Sequence, residues 1–169
     1  MSSQISQSGD TDSSPSIARK FLTFLLGSES YGIEVLSIRE IIRMQQITPV
    51  PKMPEHVRGV INLRGKVIPV IDLRIKLDLP KAEATDKTCV IVLDIKSESN
   101  ESALLGIVVD AVEEVLNIES DQIEPSPDFG TEISREGCIG IATRKEGLMT
   151  LLDIEKVVAR EVSGDLVNL

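Results

Sequence analysis

Apolar and polar positions along this chain come in short bursts, and the apolar bursts are built from valine, isoleucine and leucine. Phe21 to Leu26 and Tyr31 to Leu36 are two such bursts separated by the polar stretch Gly27 to Ser30, a pattern that predicts a hairpin. The block Arg58 to Leu77 divides two further runs at Asn62, Leu63, Arg64 and Gly65 and reads as strand, tight turn, strand. Asn62 and Gly65 are the residue types that a turn with unusual dihedrals wants, and the arginine between them would stand on a rim with its donors free. Ahead of these elements, Met1 to about Ser16 carries almost nothing to bury and cannot offset its ordering entropy, so residues 1–16 are expected to form a disordered tail.

Sliding the chain along itself by about 75 residues exposes an internal repeat. Tyr31, Gly32 and Ile33, with Val35, Ile38, Glu40 and Ile41, match Leu105, Gly106 and Ile107, with Val109, Val112, Glu114 and Val115. Pro49 and Pro51 match Pro125 and Pro127. Gly59 and the run Val67 to Leu73 match Gly140 and the run Leu148 to Ile154. The offset grows toward the C-terminal end, as loop insertions would make it. Each copy ends on an aspartate, Asp72 or Asp153, placed to cap a helix, and Asp153 to Glu161 has apolar residues spaced for one buried face. Short strands joined by Gly, Pro and polar turns, given twice, predict an all-β fold of two small barrels with short helices, one of them at the C-terminal end. Each barrel alone has too small a core, so the two should pack together. The matching cores run over residues 31–77 and 105–158, within a domain spanning 17–160 and followed by a tail, 161–169.

Composition narrows the function. The hydrophobic fraction is 41% while aromatics make up 2%, so the core must rely on branched aliphatics, which favour strands. A net charge of -9 and a pI near 4.7 argue against nucleic acid or an anionic membrane as partner, since either needs a basic face. A protein partner is the more natural expectation. Cys89 and Cys138 stand far apart with no CxxC, which suits reduced thiols, and no apolar run approaches the roughly 20 residues that span a bilayer. The N-terminus lacks the apolar stretch of a signal peptide, so a cytoplasmic location is expected.

Candidate chemistry is sparse. His56, the single histidine, has no nearby cysteine to serve as nucleophile, and no cluster of ligands or glycine-rich phosphate loop is legible. No catalytic residue, metal or cofactor is expected. Residues distant in sequence can still converge, so a small barrel enzyme stands as the competing class. Arg64 has two readings from the residues alone: a strand-end arginine that keeps a turn soluble, or a partner anchor beside apolar neighbours. Glu40 interrupts the apolar run Ile38 to Ile42, and pairing it with Arg64 across the sheet would orient the guanidinium.

The segment from Arg58 to Leu77, the Tyr31-Gly32-Ile33 hairpin, the Pro49-Val50-Pro51 loop and Leu105 to Asp110 together resemble the CheW family, the adaptors that couple bacterial chemoreceptors to the histidine kinase CheA. The resemblance runs from about Phe21 to Val158. It implies two intertwined SH3-like five-stranded barrels sharing a hydrophobic core, and a non-enzymatic scaffold recruited from the cytoplasm to receptor arrays. It further implies that Ile38, Glu40, Gly59, Asn62, Arg64, Gly65 and Val112 meet the chemoreceptor tip, and that a face near Ile47 docks onto the regulatory domain of CheA. A CheW-like adaptor for a non-chemotactic pathway such as surface motility would share all of this except the partner. The polar stretch Ser97 to Ser102 and the Ser-rich N-terminus depart from the family pattern.

Overall fold

The computed structural model describes residues 18–96, 101–125 and 137–162. The expected N-terminal tail, most of the polar stretch from Ser97, the loop beyond Pro125 and residues 163–169 lie outside the described residues. In chain order the strands are β1 (Ala18–Leu26), β2 (Glu29–Glu34), β3 (Ile38–Arg43), β4 (Val57–Leu63), β5 (Lys66–Asp72), β6 (Cys89–Lys96), β7 (Ser102–Val109), β8 (Ala111–Glu119), β9 (Ile123–Glu124), β10 (Cys138–Arg144) and β11 (Gly147–Leu152). Two short helices, α1 (Leu73–Lys76) and α2 (Ile154–Val157), follow β5 and β11.

The predicted hairpins form, and so do the caps. The Asp72 carboxylate accepts from the Arg74 N–H and that of Asp153 from the Lys156 N–H. The helix expected over Asp153 to Glu161 is broken in two: α2 ends at Val157, and Ala159–Val162 continues as a 3₁₀ turn. Adjacent Val157 and Val158 lose side-chain freedom in a helix, and both are buried, so packing rather than helix propensity decides this segment.

The strands divide into a five-stranded sheet in the order β3-β6-β7-β5-β4 and a six-stranded one in the order β9-β10-β11-β2-β1-β8. These orders show that the two copies of the repeat exchange hairpins. The barrel built on β3, β4 and β5 of the first copy is completed by β6 and β7 of the second; β8 to β11 of the second are completed by β1 and β2 of the first. Each exchange is sealed by a parallel pairing, Val70 opposite Gly106 in one barrel and Leu151 opposite Gly32 in the other. These four residues are equivalents under the sequence repeat.

Both sheets curl until their edges meet. After β3 the chain returns so that Thr48 and Val60 exchange N–H···O bonds of 2.9 Å, joining the two edges of the first sheet. In the second, β8 passes through the 3₁₀ turn Ser120–Gln122 into β9, which pairs with β10 at the opposite edge. That short β9 is the sixth strand, one more than a five-stranded barrel counts. Glycine permits the approach in both places. A Cβ on Gly59 would lie 2.0 Å from the Thr48 carbonyl oxygen, and one on Gly140 would lie 2.5 Å from that of Glu124.

Burial follows the strand period. On β6, Val90 and Val92 face the interior of the first barrel, while Ile91, Leu93 and Ile95 face the space between barrels. There they meet Leu22, Phe24 and Ile33 of the other sheet together with Leu152, Ile154 and Val158. A smaller cluster of Phe21, Ile118, Ala142, Met149 and Leu151 fills the second barrel. The central strands are thus apolar on both faces, and each fully buried Val, Ile or Leu contributes about 1.5–3 kcal/mol.

Candidate functional site

The turn between β4 and β5 has two residues, Arg64 with φ 51° and Gly65 with φ 89°. Two successive left-handed residues make a type I′ turn, whose twist matches that of the flanking strands. The sequence reading placed the unusual dihedrals on Asn62 and Gly65; the structure moves one of them to Arg64. Asn62 lies within β4, one residue before its end, and its Oδ1 accepts the Gly65 N–H at 2.9 Å. Arginine in the left-handed region costs about 1–2 kcal/mol, so this residue sits where a glycine or asparagine would be easier.

Arg64 and Glu40 meet as the sequence suggested. Nη1 donates to Oε1 at 3.3 Å and Nη2 to Oε2. Because β3 and β4 are opposite edges of one sheet, the pair spans the barrel seam, a short way along from the Thr48–Val60 bonds. Arg64 remains 69% exposed and Glu40 is mostly covered, so the carboxylate works as a mount and the guanidinium as the presented group. Hydrogen bonding from Arg64 holds the Glu40 carboxyl below its ordinary pKa.

The remaining sequence-predicted residues fall into three situations. Ile38 on β3 and Val112 on β8 are half-buried, each on a different barrel, and both border the central core. Ile38 lies at a bulge that separates it from Glu40 in the pairing with β6. Gly59 is buried beneath Thr48 and acts through that closing segment, with φ 140°. Ile47 is half-buried against the interior of the first barrel, with its Cγ2 3.0 Å from the position of a Gly59 Cβ. Asn62, Arg64 and Gly65 are exposed together at the hairpin tip.

Sequence reasoning missed the exposed apolar side chains, Leu36, Ile41 and Val67 in the first copy of the repeat and Val115 and Leu148 in the second. Val67 pairs with Asn62 beside the turn. Its signal was parity: with Ile68 and Val70 inward, Val67 must point out. Leu36, 93% exposed, lies in the 3₁₀ crossover Val35–Ser37 that carries the chain from one barrel to the other. No local pattern distinguishes it from a core leucine.

The second copy contains its own version of the rim pair, turned inward. Arg144, one position before the equivalent of Arg64, is 13% exposed and contacts Glu113 at 3.5 Å, Glu114 at 3.2 Å and Glu146 at 3.3 Å. Glu114 is the repeat equivalent of Glu40. One arginine is therefore consumed inside its barrel rim, whereas the other is held by a single carboxylate and faces outward.

His56 has a structural position. Its Nε2 lies 2.6 Å from Oε1 of Glu161, which also accepts from Lys76 Nζ at 3.2 Å. Glu161 is 4% exposed, so the residue expected to begin the C-terminal tail belongs to the folded body. Nearby, a surface cavity of about 460 Å³ is walled by Glu55, Arg58, Asp72 and Lys81. Those charges pair with each other, Lys81 with Glu55 at 2.7 Å and Arg58 with Asp72 at 3.5 Å. Among the described residues no three His, Cys, Asp or Glu side chains group as a metal site. No helix among them is long and apolar enough to cross a membrane.

Two SH3-like barrels with exchanged hairpins and a mounted arginine on one rim define a double-barrel protein-interaction domain. The chain belongs to the CheW-like domain family, whose model matches residues 20–162. It is 37% identical to the chemotaxis protein CheW of Klebsiella aerogenes over 86% of this chain and 84% of that one. It is 31% identical to the chemotaxis protein CheW of Rhizobium meliloti over 85% and 89% of the two chains. Among solved structures, the scaffolding protein TtCheW from Thermoanaerobacter tengcongensis superposes with a TM-score of 0.71 at 33% identity, covering 83% of this chain and 92% of that one.

Proposed function

We propose that the protein has no chemistry of its own and works by contact, joining chemoreceptors to the histidine kinase CheA in a membrane-associated array on the cytoplasmic side. Its effect on the kinase is a population shift: receptor and kinase held in one lattice change state together. The receptor's helical tip meets Arg64 as polar anchor, with Glu40, Asn62 and Gly65 shaping the rim around it and Ile38 and Val112 supplying apolar contacts. An amphipathic helix matches that mixture. Gly59 serves this face from beneath, by letting the Ile47–Thr48 segment close the barrel. The regulatory domain of CheA docks on the first barrel near Ile47, leaving the receptor face free.

The observation that carries this reading is the exposed, carboxylate-mounted Arg64. A guanidinium held in place by Glu40 loses less freedom on binding than a free one, which favours its use as an anchor. Titration of wild type and Arg64→Ala against a receptor cytoplasmic-tip fragment, and separately against the CheA regulatory domain, tests it. Wild type should bind both, and Arg64→Ala should weaken the receptor arm alone. Binding to neither partner would assign the fold to another pathway. In a double-mutant cycle, reversing Glu40 and Arg64 together should recover part of the receptor affinity lost on reversing either.

A further inference from the structure

The shared core holds the two barrels together through apolar contacts, which have no preferred direction. Two of the directional bonds between the barrels start from α1. Lys76 reaches Glu161 in the turn after α2, and Arg74 reaches Asp110. The second of these clasps is the more elaborate. Asp110 occupies the crossover between β7 of the first barrel and β8 of the second. Arg74 Nε donates to its Oδ1 at 2.9 Å and Nη2 donates to Oδ2, while Nη1 donates to the Pro80 carbonyl at 2.9 Å. From the other side, the Gly27 N–H donates to Oδ2 at 2.7 Å and the Asp110 N–H donates to the Leu25 carbonyl at 3.0 Å. One carboxylate thus receives a fork from the first barrel and a backbone donor from the β1–β2 turn of the second. Partial burial works to raise the Asp110 pKa, but these donors outweigh it and hold the carboxyl below its ordinary value.

The repeat supplies an internal comparison. The equivalent of Asp110 in the other crossover is Leu36, a side chain turned out to solvent that can accept no such bonds. Of the two crossovers, then, the one that leads into Val112 is pinned by a side-chain carboxylate. We propose that Arg74 is a positioning residue for receptor recognition: by gripping Asp110 it fixes the crossover to Val112, and so sets the second barrel against the barrel that carries Ile38 and Arg64. This rests on the receptor-binding reading above and adds to it a determinant that touches no partner.

The test combines barrel geometry with partner binding in the full chain. Spin labels at Val67→Cys on one barrel and Leu148→Cys on the other, with Cys89 and Cys138 replaced by serine, report the inter-barrel distance. Both label positions are exposed. The distance distribution should be narrow in the parent and broader in Arg74→Ala and Asp110→Ala. Without labels, the same substitutions should lower affinity for a receptor-tip fragment about tenfold while sparing the CheA regulatory domain. Arg74→Lys, which keeps the charge but loses the fork, should fall between. His56→Ala, which weakens the other clasp, should lower stability without touching receptor affinity. An unchanged distance distribution in Arg74→Ala overturns the proposal, as does a receptor defect no larger than that of His56→Ala at equal destabilisation. A wild-type protein that binds no receptor fragment overturns the underlying reading instead, and is told apart because the variants then have no affinity to lose.

Discussion

Three glycine or glycine-like positions within seven residues of one another do different work, and their differences can be measured. A Cβ on Gly59 collides with backbone, which cannot swing aside, whereas one on Gly65 meets no atom within 4 Å. Gly59→Ala should therefore destabilise by more than about 3 kcal/mol or abolish folding, while Gly65→Ala should lose only about 1 kcal/mol, the effect of φ alone. Urea denaturation of the two variants checks the ranking, and equal losses would remove the steric account of barrel closure. Arg64 completes the set. Since it holds a left-handed conformation that suits glycine, Arg64→Gly should relieve strain and leave the urea midpoint unchanged or raised while receptor binding is lost. A fall in both would show that the arginine serves the fold instead. The Glu40–Arg64 mount also has a pH signature. A carboxyl whose folded pKa is depressed contributes fully above its unfolded value, near 4.5, and loses that contribution as pH falls through the lower folded value. Receptor affinity through this pair should accordingly be level across neutral pH and decline only in acid.

Among the elements, the strands and turns were legible and the helices less so. β-branched runs, the polar turn after Leu26 and the aspartates at 72 and 153 each carried a local signal, and the structure uses them as read. Asp153→Ala should remove about 1 kcal/mol, the usual effect of losing a side-chain N-cap. The helix beyond Asp153 misled because its period is right but its end is decided elsewhere: Glu161 is drawn to His56 and Lys76, residues about a hundred positions away in sequence. His56→Ala takes one partner from a buried carboxylate whose second oxygen already lacks a hydrogen bond among the described residues. A loss of about 1–3 kcal/mol follows, read from denaturation curves. The rim pair Glu40–Arg64 was readable because an acid interrupts an apolar run and an arginine occupies a turn. The Arg74–Asp110 clasp was not, because each partner sits in an ordinary polar slot and only the fold brings them together.

At the scale of the molecule, the repeat foretold two barrels but not which strands belong to which. Hairpins β1–β2 and β6–β7 carry the same apolar pattern and the same central glycine, so either copy's hairpin satisfies either barrel, and sequence alone has no means to choose. The exchange has a direct test. Cutting the chain in the exposed segment between Lys81 and Lys87 yields halves that each hold strands of both barrels and complete neither. Each half should be unfolded by circular dichroism when alone, and mixing should restore strand content. Halves that fold independently would contradict the exchanged topology.

That topology also governs how the scaffold bears load. If, as proposed, the protein is seated between a receptor and a kinase, it is tugged from two faces, and two barrels strung in sequence would separate under tension like beads on a thread. Here the chain passes between the barrels twice, at Val35–Ser37 and at Asp110, and each passage runs straight into a strand held in a sheet on either side. Drawing the barrels apart means opening their shared apolar core and straining both passages at once. With the Asp110 passage clasped from both sides, the two move as a single piece, and a force applied at one rim arrives at the other as rotation of a rigid washer.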